Sequence, residues 1–171
     1  MPLLIALRLL AAAMLFNKQG DLLMMKRSPS RTLSPGMWGA VGGHVEPGEI
    51  RNPRAACLRE IKEETGIEEN QIKQFRLQYI LIRLNQQELR QQFFYAGLTD
   101  AVPSITTEEG DLFWIPRNKV FVREIPFVYK EMLKHYWKHG PSPYLWLGTA
   151  RRKADKTAYM EWTPLQDPLY T

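Results

Sequence analysis

A chain of 171 residues suffices for one domain with its own core and leaves little for a second. At 44% hydrophobic and 24% charged residues its composition is that of a globular protein, and a single cysteine, Cys57, excludes an internal disulfide and a CxxC zinc site. The net charge of +5 suits anionic partners such as nucleotides, while the lack of any run of like charges argues against a nucleic-acid-binding tract.

The opening run MPLLIALRLLAAAMLF carries Arg8 in its middle, has no basic segment before it and is too short to span a bilayer. It reads as a core strand in preference to a targeting segment. A turn at Asn17 to Asp21 leads into a second apolar stretch, a buried hairpin. SPSRTLSPGMWG is a loop by its Ser, Pro and Gly content, and residues 38–49 read as a short strand and a glycine turn. A helix is expected from Pro53 to Thr65, with Asn52 as N-cap, Pro53 in the first helical position and Gly66 as the stop.

FRLQYILIRL and LRQQFFYAGL are rich in β-branched and aromatic residues and form a second hairpin around NQQE. GDLFWIP is a short strand after an acidic loop. PFVYKEMLKHYWKHG has apolar residues at 127, 128, 132, 133, 136 and 137, a helical period that ends at Gly140. The tail reads as two strands about a polar turn at 151–156. Strands outnumber helices and are interrupted by them twice, which predicts an α/β (α+β) fold with a mixed sheet covered by helices. The expected organisation is a single domain over 1–171, with a hairpin extension at 144–163.

The first helix contains an unusual cluster. At about 100° per residue, with Glu60 at zero, Glu64 falls near +40° and Glu63 near −60°, while Leu58, Ile61, Thr65 and Ala55 occupy the opposite arc. The spacing predicts a buried apolar face and an open face of three carboxylates, whose repulsion costs a few tenths of a kcal/mol per pair unless something neutralises it. Upstream, GGHVEPGE places two glycines where the backbone must approach closely, and adds Glu46 and Glu49. Acids and a bare carbonyl around one point suit a hard divalent cation and metal-assisted attack of water on a phosphate.

Residues 43–67 resemble the Nudix box, G-x5-E-x7-R-E-U-x-E-E-x-G-U with U aliphatic. Gly43 and Glu49 have the box spacing, and REIKEETGI (59–67) fits its second half without mismatch. Nine residues separate Glu49 from Arg59 where the pattern has seven, and the two additional residues are expected in IRN, ahead of Pro53. The resemblance implies an α/β/α sandwich and a Mg²⁺- or Mn²⁺-dependent enzyme hydrolysing a nucleoside diphosphate linked to another group. By position it implies metal ligands at Glu60, Glu63, Glu64 and the Gly43 carbonyl, with Arg59 and Glu49 holding those carboxylates. Water would attack phosphorus beside the cation, with Glu63 or Glu60 taking its proton. A further carboxylate is sought in TTEEGD, where Glu109 is favoured over Glu108 and Asp111.

Two side-family markers are absent. Ile82 and Arg83 stand where Nudix enzymes for ADP-ribose tend to carry proline, and Leu84 and Asn85 where those for dinucleoside polyphosphates tend to carry tyrosine. The resemblance then implies a MutT-like (deoxy)nucleoside triphosphate pyrophosphohydrolase, releasing monophosphate and pyrophosphate, with 8-oxo-dGTP as one substrate of that type. Alternatives are a nucleotide sugar, ADP-ribose or capped RNA as substrate, or a nucleotide-sensing module without turnover, against which all three helix glutamates argue. Trp38 and His44, flanking the glycines, and Arg27 and Arg31, upstream, are the candidates for substrate contacts. Tyr79, Phe93, Tyr95 and Trp114 read as core. A small-molecule nucleotide, no membrane and a cytoplasmic setting complete the expectation.

Overall fold

The computed structural model describes residues 4–170. Nine strands form one sheet: β1 (Ala6–Phe16), β2 (Leu22–Arg27), β3 (Trp38–Gly39), β4 (Val41–His44), β5 (Lys73–Asn85), β6 (Glu88–Leu98), β7 (Gly110–Ile115), β8 (Leu145–Arg152) and β9 (Ala158–Leu165). The helices are α1 (Pro53–Thr65) and α2 (Phe127–His139). The strand path is β3-β2-β1-β6-β5-β8-β9, with β4 paired to β1 and β7 to β2. Pairing is parallel for β1 with β6 and for β5 with β8, and antiparallel elsewhere, so the sheet is mixed.

Strand alternation divides the core into two layers. Ala11, Ala13 and Leu15 of β1 pack with Ala56, Cys57 and Ile61 of α1, whereas Met14 packs with Met132, Leu133 and Tyr136 of α2. The sheet is therefore sandwiched between one helix on each face, as the α/β/α expectation required. Tyr79 and Tyr95 are buried, and Phe93 and Trp114 pack against the core, so all four aromatics are structural. Among the described residues no helix is long and apolar enough to cross a membrane.

Local chemistry sets the turns. Asn17 Oδ1 accepts from the backbone N–H groups of Gln19 and Asp21, and Gly20 supplies a φ of 83°, which closes the first hairpin. Asn52 caps α1 by accepting from Ala55 N–H, and Gly66, at a φ of 78°, ends it by donating to the Lys62 carbonyl. The last hairpin turns at Lys153 to Thr157, slightly beyond the expected 151–156. There β8 pairs with β5 and carries β9 as the outermost strand.

One expectation for α1 is corrected. Its buried residues are Ala56, Cys57, Ile61, Glu64 and Thr65, whereas Leu58 and Ala55 are only half-buried. The helix is rotated so that part of the carboxylate arc faces inward. Ile61→Ala is accordingly expected to cost about 2–5 kcal/mol in urea denaturation, and Leu58→Ala less than about 2 kcal/mol.

A second test concerns α2. His135 is 8% exposed, its Nδ1 is 2.8 Å from the Tyr79 hydroxyl, and its ring lies between those of His139 and Trp162. Burial, then the nearby positive charge of His139 and Lys138, lowers its pKa from 6.5 to about 4. The folded state thus holds the ring neutral while the unfolded chain binds a proton between those values. Its contribution is complete above about pH 6.5 and is lost as the pH falls toward 4, by up to about 3 kcal/mol. His135→Asn is expected to flatten that part of the stability profile relative to the parent chain.

Candidate functional site

Carboxylates and glycines meet where α1 crosses β4. Ala11, Ala12 and Ala13 of β1 lie opposite Gly43, Gly42 and Val41, and these small residues let the helix come close to the backbone. Glu64 is 5% exposed, and its Oε2 accepts from Gly42 N–H at 2.9 Å. Glu60 lies still closer: a Cβ built on Gly43 would stand 2.5 Å from its carboxyl carbon and from Oε1. The missing side chain of Gly43 is the space in which the Glu60 carboxylate sits.

Arg59 ties the remaining acids together. Its Nε donates to Glu49 Oε1 at 2.8 Å and its Nη2 to Glu49 Oε2 at 3.1 Å, a bidentate pair. Nη1 donates to Glu60 at 2.9 Å and to Glu63 at 3.2 Å, and Nη2 also reaches the His44 carbonyl at 3.0 Å. The two additional residues between Glu49 and Arg59 have not separated that pair. They are absorbed in the turn through Ile50 and Arg51, ahead of the Asn52 cap.

A cavity of about 370 Å³ opens on this point. Gly43, His44, Glu60, Glu64 and Glu109 line it, as do Arg27 and Arg31. Arg31 Nη2 is 3.0 Å from Glu109, and Arg27 Nε donates to the Leu33 carbonyl at 2.9 Å. Glu108 and Asp111, the alternatives to Glu109, are exposed and do not line the cavity.

Two expected residues lie elsewhere. Trp38 is not in the cavity wall: its ring packs on Phe113 at 5.4 Å and under the Arg123 guanidinium at 4.8 Å. Glu63, 58% exposed, is held outward toward Arg59 and is also outside the cavity wall.

The electrostatics are those of crowded anions. Burial pushes Glu64 up to about 8, opposed by the Gly42 hydrogen bond and assisted by Glu60 and Glu109. Glu60 is raised by burial and by Glu63 and Glu109, with Arg59 pulling the other way. Glu49 is lowered, chiefly by its hydrogen bonds from Arg59. Burial raises the Cys57 thiol, which rules it out as a ready nucleophile.

Hard oxygen donors of Glu60, Glu64 and Glu109 beside the Gly43 cradle fit Mg²⁺ or Mn²⁺ in kind. Among the described residues no three acid, His or Cys side chains yet converge as a closed ligand set. Arg59, Arg31 and Gly42 N–H hold the carboxylates instead.

The NUDIX domain family model matches residues 6–136. The chain belongs to the Nudix family. Its fold is that of solved MutT proteins: the one from Methanosarcina mazei Go1 superposes with a TM-score of 0.69 at 19% identity, over 81% of this chain and 98% of that one. The mutator MutT protein of Bacillus halodurans gives 0.69 at 21% identity, over 91% and 97%. The NUDIX domain of Shewanella oneidensis NrtR, solved with ADP ribose, gives 0.62 at 20% identity, over 78% and 88%. Among curated proteins, an isopentenyl-diphosphate Delta-isomerase of Corynebacterium diphtheriae is 27% identical over 134 residues, 72% of each chain.

The cavity wall also includes Arg8, Arg83, Arg90, Gln92 and Tyr129, none of them among the residues expected from sequence. Arg8 interrupts an otherwise apolar strand, which is the available signal, whereas Arg83 and Arg90 stand on strands with other polar residues such as Arg76 and Gln91. The convergence of the three cavity arginines depends on pairing between segments far apart in sequence.

Proposed function

We propose that this Nudix chain hydrolyses a nucleoside diphosphate-linked substrate, with a (deoxy)nucleoside triphosphate cleaved to monophosphate and pyrophosphate as the leading reading. The observation that carries it is the meeting of Glu60, Glu64, Glu109 and Gly43 in one cavity with Arg27 and Arg31. Glu60, Glu64 and Glu109, with Glu63 from the same helix, would hold Mg²⁺ or Mn²⁺ together with the Gly43 carbonyl. Bound there, the cation supplies charge neutralisation and Lewis acidity toward a phosphate oxygen.

The chain's own groups do the rest. Arg27 and Arg31 bind phosphate oxygens, and the guanidinium of Arg31 exchanges Glu109 for the substrate. Arg59, braced by Glu49, fixes the position of Glu60 and keeps its carboxylate from turning away. Glu60, already raised by burial, takes the proton of the attacking water. His44, 3.2 Å from Arg8 Nη1, lies on the cavity wall and orients the bound molecule.

The likeness to an isopentenyl-diphosphate isomerase supports a second reading, a diphosphate ester of an alcohol in the same cavity. Incubating the protein with Mg²⁺ and a panel of nucleoside triphosphates, nucleotide sugars, ADP-ribose and isopentenyl diphosphate separates the two. The proposal expects pyrophosphate from a nucleoside triphosphate and none in EDTA. Turnover of isopentenyl diphosphate alone would replace it with the second reading.

A further inference from the structure

Arg8 on β1, Arg90 on β6 and Arg83 on β5 form one row across three adjacent strands. Arg8 lies opposite Arg90, and Arg90 lies opposite Arg83. Directly opposed residues of neighbouring strands project from the same face of a sheet, and opposed like charges are destabilising. All three side chains line the cavity that also contains Glu60 and Glu64.

One carboxylate offsets the row. Glu88 accepts from Arg8 Nε at 2.5 Å and from Arg90 Nε at 2.7 Å, which fixes both guanidinium groups in place. Arg83 enters no ion pair among the described residues. Three cations against one anion leave the row with a net charge of +2 on the cavity wall, its Arg83 end open to solvent.

Leu10, Gln92 and Leu81 form the next row and supply a mostly apolar floor. Beyond it Phe94 stacks on Tyr129 at 5.4 Å, and the buried Tyr129 hydroxyl has no hydrogen-bond partner among the described residues. A small molecule lying over this floor would meet apolar surface in the middle and positive charge at the end.

This row is distinct from the arginines beside the carboxylates. Arg27 and Arg31 come from β2 and the loop after it, on the other side of β1 from β6. The path from Gly43 to Arg83 runs β4-β1-β6-β5. Three strand spacings separate the backbones of Gly43 and Arg83 by about 14 Å, more than one diphosphate spans, whereas Arg8, 3.2 Å from His44, borders the near end. A single diphosphate therefore does not occupy both ends.

We propose that Arg8, Arg90 and Arg83 bind a second anionic group of the substrate, a phosphate on the part of the molecule remote from the bond that is cleaved. Guanidinium groups held in a row match phosphate oxygens in pairs, and Arg83 offers its full set of donors. The word substrate rests on the hydrolase reading above. The anion site itself does not, since it binds whether or not turnover follows.

The test is equilibrium binding by titration calorimetry in metal-free buffer, with adenosine 5′-diphosphate compared against its 2′- and 3′-phosphorylated counterparts. At least one counterpart is expected to bind about tenfold or more tightly than the parent nucleotide. Arg83→Gln and Arg90→Gln, checked for folding by circular dichroism, are expected to shrink that difference to about threefold or less. Arg151→Gln, on the outer hairpin where it pairs with Glu161, is expected to preserve it. Equal affinity across the set, no binding of any member, or a difference that survives both cavity variants overturns the proposal. Hydrolysis is read separately in the Mg²⁺ assay, so failure of one reading is distinguishable from failure of the other.

Discussion

Glu60→Gln is expected to lower kcat by about 10²–10⁴-fold while leaving the melting temperature close to that of the parent chain. The activity loss follows because a neutral amide neither takes a proton nor adds negative charge for a cation. Stability is spared because burial and the neighbours Glu63 and Glu109 already work against the Glu60 charge. An amide of the same shape removes that repulsion and still accepts from Arg59 Nη1 at its carbonyl oxygen. Glu63→Gln is expected to lose less, since the side chain is outside the cavity wall and mainly exposed. Steady-state kinetics at saturating Mg²⁺, with thermal melts of the same preparations, check both. A stability loss without an activity loss would make Glu60 a structural acid.

The second large effect concerns the glycine pair, whose two members are expected to fail in different ways. Gly43→Ala places a methyl group 2.5 Å from the Glu60 carboxyl carbon. That carboxylate is the end of a flexible side chain, and the Gly43 backbone is not in the left-handed region, so the fold survives and the carboxylate moves. Turnover is expected to fall by about 10²-fold, the scale of a displaced catalytic group, with little change in melting temperature. Gly42→Ala meets the backbone instead, 2.5 Å from Ala12 Cα, at a φ of 155° that an L side chain seldom adopts. Neither can yield without shifting β1, so this variant is expected to lose stability before it loses chemistry. Parallel melts and kinetics on the two alanine variants separate the outcomes. Equal destabilisation of both would mean that Gly43 also serves the backbone.

Much of this architecture is written locally. Asn52, Pro53 and Gly66 bound α1 by capping chemistry that needs no tertiary information, and the alternation of β1 follows from burial on both faces of a sheet. The rotation of α1 was not legible in the same way. A helical wheel ranks residues by polarity and so turned Glu64 outward, whereas Gly42 offers a backbone N–H that allows a carboxylate to be buried. Trp38 was misplaced for a related reason: nearness to the glycines in sequence does not say which way a two-residue strand faces. The row of Arg8, Arg90 and Arg83 depends on parallel pairing of β1 with β6 across some eighty residues. Sequence periodicity reports one strand at a time and carries no register between strands.

The central claim is that the carboxylates around Gly43 are gathered for a divalent cation. Anomalous diffraction from crystals grown with Mn²⁺ tests it most directly. The account predicts a manganese peak in the cavity among Glu60, Glu64 and Glu109, beside the Gly43 carbonyl, with Arg31 turned away from Glu109. Manganese bound elsewhere, or an empty cavity at a concentration that supports turnover, would contradict it.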